Sequence, residues 1–304
     1  MAAGLKAENE QSLLIDSSWK AGERLDKGCG YSILVAADIQ LRGMPDIVVC
    51  VKQTVDVYQL KPHPETQAPL TTQAQAKNSD FDLNALEEAV RIKEKHGGKV
   101  VVATAGVDVK PMLVRECLAM GADEAYVFSD PAMIKADGYV TAAVLSRIIE
   151  RRVGKWDLIL CGEASLDENA YQTGPRLAEV FNVPHVSYVN KLEWLGGAVK
   201  AWKSLEDGVK VVSCKTPAVA TVGLEINTPR LPSLLMIRAS QKKPLNEVKR
   251  DELGLTDEML TPKSEILEVR ALKTERRKQV YDGKPEELAE RLAETILGLG
   301  VLKR

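Results

Sequence analysis

The sequence predicts an α/β fold built on a parallel sheet and followed by a polar C-terminal arm. Three observations carry that expectation. Short apolar runs, such as Ile47–Val51, Leu158–Cys161 and Pro217–Val222, are what strands covered on both faces look like. Amphipathic segments of helical length alternate with these runs, the pattern of right-handed β–α–β crossovers. The stretch from about 240 to 280 is charged and weakly periodic, too polar to build a core of its own.

In chain order, residues 1–43 read as an N-terminal extension. Disorder is one reading of it and a small extra element, with Ser32–Ala37 as a short strand, is the other. The main domain is expected to start at Met44 and run to 238, opening with the strand Ile47–Val51. A polar excursion through Pro62, Pro64 and Pro69 precedes a helix expected over Leu83–Lys95. The stretch Asn78-Ser79-Asp80-Phe81-Asp82 is expected to cap it, its Asn, Ser and Asp side chains accepting from the first-turn N–H groups. Gly97-Gly98 ends that helix, and Lys99–Ala105 is the next strand. A helix over Pro111–Met120 stops at Gly121, a strand covers Glu124–Phe128, and a helix covers about Thr141–Arg152. Past the strand at 158–161, Val186–Trp194, Val199–Leu205 and Val209–Lys215 read as strands joined by Gly196-Gly197 and Asp207-Gly208 turns. Residues 239–304 are read as an arm laid on a partner, ending in an amphipathic helix over Pro285–Leu299.

Composition narrows the function. A formal net charge of −2 gives no general case for nucleic acid binding, and 5% aromatic residues argue against base stacking. The five cysteines stand apart from one another, mostly in apolar contexts, as buried thiols in a reducing compartment do. The three histidines are scattered too, so no metal site is expected. No apolar run approaches the ~20 residues of a membrane span, and no signal peptide is apparent, so a cytoplasmic setting is expected.

The stretch Asp157–Glu179 holds the strongest site signal. A buried strand ends at Gly162, a polar loop runs from Glu163 to Gln172, and Thr173-Gly174-Pro175 opens a helix. Proline suits a first helical turn, where its missing N–H would lack a partner anyway. Such a helix start offers free N–H groups and a positive dipole end to an anion, here the phosphate of a nucleotide. An ordinary well-capped βα turn has the same spacing, and spacing alone leaves both readings open.

Five stretches in order resemble the beta subunit of electron transfer flavoprotein, including its nitrogen-fixation-associated and electron-bifurcating relatives. They are Val48–Gln53, Asp80–Ala89, Arg115–Asp123, Leu166–Pro175, and Pro217–Thr221 with Asn227–Arg230. The resemblance spans roughly Met44–Lys243 and implies an adenine nucleotide alpha hydrolase-like domain paired with an alpha subunit. It implies an FAD shared with that subunit, and an AMP or a second FAD held by this chain. Electrons would pass between an acyl-CoA or other dehydrogenase and an acceptor such as a quinone oxidoreductase. Departures exist: Asp167-Glu168-Asn169 stands where three acids are common, and Thr173 replaces the valine of bifurcating members, while Ala136–Thr141 looks like that branch. The Thr173 hydroxyl, able to donate to a terminal phosphate, tips the reading towards AMP.

By this resemblance, Tyr171, Gln172, Thr173 and Gly174 contact phosphate, and Cys50, Val51, Ala105, Ser165 and Leu166 line the adenine pocket. Ser79, Asp167 and Asn169 complete the cofactor set. Phe81, near Val57-Tyr58, reaches towards the redox flavin or else simply packs beside a helix cap. Arg230, Leu231, Leu234 and Leu235 form a partner-docking loop with Leu234 as its anchor, while Met236 and Ile237 are expected to pack beneath. Two other classes compete: an ATP/AMP-binding regulatory module of the universal-stress type, and an adenylyl-transferring enzyme. The latter would need a His-x-x-His or Lys-Ser-type phosphate motif near a strand end, and no His-x-x-His is present.

Overall fold

A computed structural model describes residues 13–15, 43–271 and 278–300. The strand considered at Ser32–Ala37 lies outside the described residues. These residues fall into two units, one made of the stretches up to 61 and 70–268, the other of 62–69 and the chain from 269.

The first unit is organised by β2 (Asp46–Cys50), an edge-free strand because both of its neighbours are parallel and buried. From β2 the chain makes a short antiparallel ribbon of β3 (Gln53–Val55) and β4 (Ala76–Asn78), then enters α1 (Asp80–His96). It continues through β5 (Lys99–Gly106), α2 (Pro111–Met120), β6 (Glu124–Ser129) and α3 (Gly138–Ile148), whose last turn widens over Ile149–Val153. The chain then returns to the other side of β2 as β7 (Leu158–Gly162), followed by α4 (Thr173–Phe181). Strand β8 (His185–Trp194), β9 (Ala198–Leu205) and β10 (Gly208–Lys215) form an antiparallel meander before β11 (Ala218–Val222) inserts between β7 and β8. With β1 (Leu13–Ile15) parallel to β10, ten strands share one sheet, ordered β1-β10-β9-β8-β11-β7-β2-β5-β6 and a last edge strand at 245–247. Within this sheet, antiparallel pairing is confined to β8, β9 and β10.

Alternation along β2 shows how the core divides. Ile47 and Val49 face α1 and α2 with Leu86, Val90 and Leu118, whereas Val48 and Cys50 face α3 and α4 with Ile148 and Leu177. The chain leaves β2 on one side, towards β5, and comes back on the other side as β7, so the strand order switches direction at β2. A crevice outside the carboxyl ends of the strands at such a switch is where an α/β sheet of this kind takes its ligands.

Several boundaries differ from the sequence expectation. Helix α1 starts at Asp80, earlier than Leu83, and its N-cap Ser79 makes no side-chain cap bond. Asn78 uses its amide on Leu113 O and Glu116 instead. Helix α3 starts at Gly138 because Asp137 accepts from both Tyr139 N and Val140 N, at 3.0 Å each. At 234, where no element is expected from sequence, Ser233 accepts from Met236 N and opens α5 (Leu234–Ser240).

The largest difference concerns the arm. Leu245–Glu247 is β12, parallel to β6, and α6 (Arg250–Leu253) follows it. Val248, Leu253, Leu255 and Leu260 are buried against the α3 side of the sheet. A polar average hides these four apolar positions, which suffice to anchor a short segment to a core that already exists. Apart from 62–69, the chain stays in this unit as far as 268. The second unit pairs Pro62 with Pro69 across a turn around His63, and Ala271 N donates to Gln67 O. Its helix α7 (Pro285–Gly298) buries no residue; Tyr281 bonds to Thr295 and carries Arg291 over its ring.

Leu253→Ala should therefore lower the stability of the purified chain by about 2–4 kcal/mol, the usual cost of emptying a buried leucine site. Chemical denaturation without any partner measures it; an unchanged midpoint would return 245–260 to a partner-bound arm.

Candidate functional site

The pocket that this topology creates lies at the carboxyl ends of β2, β5 and β7. It encloses about 260 Å³. Its floor is apolar, with Cys50, Val51, Ala105 and Cys161 on strand ends and Met133 and Leu145 from the α3 side. Its rim is polar, running from Lys52 and Gln53 through Glu163, Ser165 and Glu168 to Tyr171, Gln172 and Thr173.

Asp82 is the residue that shapes this rim. It stands in the first turn of α1, fully enclosed, and accepts from Lys52 N at 2.8 Å and Gly162 N at 2.9 Å. One carboxylate thus fastens the exits of β2 and β7 to the start of the same helix. Burial pushes its carboxyl up to about 7, against the two N–H donors and the Lys52 charge that favour the ionised form. Gly162 has no room for a side chain: a Cβ there would come within 2.5 Å of Phe81 Cβ and 2.7 Å of Asp82 Oδ1.

Lys52 reaches over the rim to Asp167 at 2.9 Å, Glu168 at 3.3 Å and Ser165 Oγ at 3.4 Å. It is the one cation among the described residues lining the pocket. Burial works against ionisation of Asp167, yet Lys52, Ser165 and Thr54 hold its carboxyl below the usual range. Glu163 moves the other way, raised by burial and by Glu225. At the far end of the loop, α4 begins on Gln172 without a side-chain cap, so its first-turn N–H groups stay available to an outside acceptor. Gly174 lets that helix start lie against β11, where a Cβ would sit 2.1 Å from Thr221 Cγ2. Tyr171, on the rim, and Tyr188 both take left-handed backbone angles, φ 57° in each, and their rings stand 6.2 Å apart.

Of the residues expected from sequence, Cys50, Val51, Ala105, Ser165, Tyr171, Gln172 and Thr173 converge on this pocket. Ser79, Phe81, Leu166, Asp167, Asn169 and Gly174 do not line it. Ser79 is buried with its hydroxyl unpartnered, and the Phe81 Cβ lies against Gly162. Asp167 acts through Lys52, and Gly174 through its contact with Thr221. Sequence reasoning passed over Lys52, Asp82 and Glu163 as site residues. Lys52 had a signal, since it directly follows the apolar run of a central parallel strand.

The docking residues lie elsewhere on the same unit. Leu231, Leu234 and Leu235 are 94%, 82% and 78% exposed, and Ile237 is exposed as well rather than packed beneath. Arg230 differs from them. Its guanidinium is engaged by Glu87 at 2.8 Å and Glu94 at 2.9 Å.

An uncapped helix start beside a crevice at the switch point of a mostly parallel sheet is the architecture of a nucleotide-binding-like α/β fold. Among the described residues, no group of three His, Cys, Asp or Glu is placed to hold a metal, and no helix is long and apolar enough to cross a membrane. The family model described as "Electron transfer flavoprotein domain" matches residues 70–253, and the chain belongs to the electron transfer flavoprotein family, among its beta subunits. It is 36% identical over 259 residues to the electron transfer flavoprotein subunit beta of Thermoanaerobacterium thermosaccharolyticum, covering 83% of this chain and 97% of that one. It is 34% identical to the caffeyl-CoA reductase-Etf complex subunit CarD of Acetobacterium woodii, over 70% of this chain and 81% of that one. The subunit beta of Bacillus subtilis is 33% identical over 70% of this chain and 82% of its own.

The raised Asp82 carboxyl has a pH signature. Its folded value exceeds the unfolded one near 4, so its contribution to stability is complete below that range and is lost as pH rises through about 7. Asp82→Asn removes the titration. The stability of the native protein minus that of the variant should fall by up to about 4 kcal/mol between pH 4 and pH 8 and level off above. Urea unfolding across that range checks it, and a flat difference would mean that the carboxyl titrates normally.

Proposed function

We propose that this chain pairs with an electron transfer flavoprotein alpha subunit and holds an adenine nucleotide in the pocket below α4. The heterodimer would carry electrons from an acyl-CoA or other dehydrogenase to a downstream acceptor such as a quinone oxidoreductase, in the cytoplasm. The observation that carries this reading is the uncapped start of α4 closing a pocket at the ends of β2, β5 and β7. The residues fit such a ligand. An apolar floor suits adenine, and the first-turn N–H groups with the Thr173 hydroxyl suit a phosphate. Lys52 adds a cation near the same rim.

The redox FAD, shared with the alpha subunit, supplies the electron exchange; this chain binds, orients and shields. No acid–base constellation is required of it. AMP is the favoured occupant because Thr173 can donate to a terminal phosphate. A second FAD is kept as the other reading by one observation. Ala136, Gly138 and Thr141 form part of the pocket wall, and their stretch resembles the bifurcating branch. The CarD relative, named for a caffeyl-CoA reductase complex, keeps an oxidoreductase assembly open to this chain too.

Acid release and chromatography of the purified heterodimer should give one FAD and one AMP; two FAD and no AMP would select the second reading. Thr173→Val should weaken AMP by roughly 1.5–3 kcal/mol, the worth of a hydrogen bond to a charged group. Unchanged nucleotide content on dialysis would place the phosphate elsewhere. For docking, Leu234→Ala should slow electron transfer from the dehydrogenase by about 2 kcal/mol of lost anchoring, with flavin content intact. Equal rates at every dehydrogenase concentration would remove Leu234 from the interface.

A further inference from the structure

Helix α1 has two stripes. Leu86, Ala89 and Val90 face the core, as amphipathic spacing dictates. A second stripe, Asn84, Glu87, Glu88, Arg91 and Glu94, recurs at three- and four-residue spacing and is polar. Polar side chains on an exposed helix face need no partner but water. Here two of them, Asn84 and Glu87, are only 3% exposed. Buried polar groups must find partners in the protein, and one segment of chain supplies nearly all of theirs.

That segment is Leu224–Arg230. Asn84 donates to Leu224 O and to Asn227 O at 3.2 and 2.7 Å, and Asn227 returns bonds to Asn84 O and Glu88 at 3.0 Å each. Glu87 accepts from Arg230 N at 3.1 Å, from its Nε at 2.8 Å and from Nη2 at 3.2 Å. Glu94 takes the remaining face of the same guanidinium at 2.5 and 2.9 Å. Arg91 bonds to Glu87 at 2.8 Å and reaches Thr228 O. These arginines hold the Glu87 carboxyl below its ordinary range although burial opposes this.

Residues 227–232 have no regular structure of their own, and the two prolines in them deny any helical ladder. Their path is therefore set by α1. Immediately after Arg230 the chain presents the exposed row Leu231, Leu234 and Leu235. A planar fork pinned between two carboxylates restrains direction as well as distance, which an ammonium cannot do.

We propose that Arg230, gripped by Glu87 and Glu94, is the positioning residue that sets the attitude of the Leu231–Leu235 surface for its electron-transfer partner. It does not touch the partner itself. This rests on the reading above that the leucine surface docks a partner dehydrogenase, and it assigns to the polar stripe of α1 a role in recognition that fold stability alone does not require.

The test uses the flavin-loaded heterodimer with an acyl-CoA dehydrogenase as electron donor, and compares KM for the dehydrogenase with kcat. Arg230→Met should raise KM on the order of tenfold with kcat and flavin content unchanged. Hydrogen exchange should accelerate over 227–240 and stay native in β2, β5 and β7. Arg230→Lys, which can meet one carboxylate but not fork across both, should recover part of the KM. Should Arg230→Met fail to assemble, Glu94→Gln removes one jaw of the clamp and leaves Glu87 in place, and a smaller KM rise is expected from it. Native KM in Glu94→Gln and in any assembled Arg230→Met, while Leu234→Ala raises it, would overturn the positioning role and keep the docking surface. Native KM in Leu234→Ala would overturn the docking reading on which this one stands.

Discussion

Asp82 joins three elements that are far apart in sequence. Its two oxygens take the N–H groups at the exits of β2 and β7 while its backbone begins α1. The bond to Gly162 N is buried and that to Lys52 N is half-buried. A buried donor without an acceptor costs on the order of 1–3 kcal/mol, so the spacing of these two strand ends and the seating of α1 are fixed together. The pocket is the gap this arrangement leaves. Lys52 and Gly162, the two residues tethered by Asp82, both line the pocket, and the loop from 163 to 172 starts from Gly162 and is held by Lys52 through Asp167 and Glu168.

This has an electrostatic corollary. The rim bears Glu163 and Glu168 with a single lysine that is already shared with Asp167. Side-chain charge therefore cannot be the main attraction for a phosphate. In the proposed function, backbone N–H groups and the dipole at the start of α4 would supply it. The uncapped Gln172 fits the same logic, since a capping side chain would occupy the donors a ligand needs.

Much of this was legible in the amino-acid sequence. The runs at 47–51, 158–161 and 218–222 announce buried parallel strands, and the strand–loop–helix at 157–179 points to the pocket's polar end. Less visible was whatever depends on pairing across the chain. Asp82 reads as one of several helix-capping acids, and only the fold shows that it serves two strands. Arg230 reads as an exposed loop tip, since nothing in its own neighbourhood hints at Glu87 and Glu94. The 240–260 segment misleads by averaging: four apolar side chains spread through a charged stretch leave mean polarity high while anchoring it fully. The left-handed Tyr171 and Tyr188 carry no sequence signal, as tyrosine seldom takes that conformation.

The short strand at 245–247 bears on how the chain behaves among many copies of itself. A sheet of ten strands would ordinarily end on a row of unpaired N–H and C=O groups, a template on which another chain can grow. Here β6 is covered by three residues, immediately preceded by Pro244, and then the backbone turns away into α6. What remains outward is too brief to seed pairing. Trimming the chain before 245 would uncover the longer edge of β6.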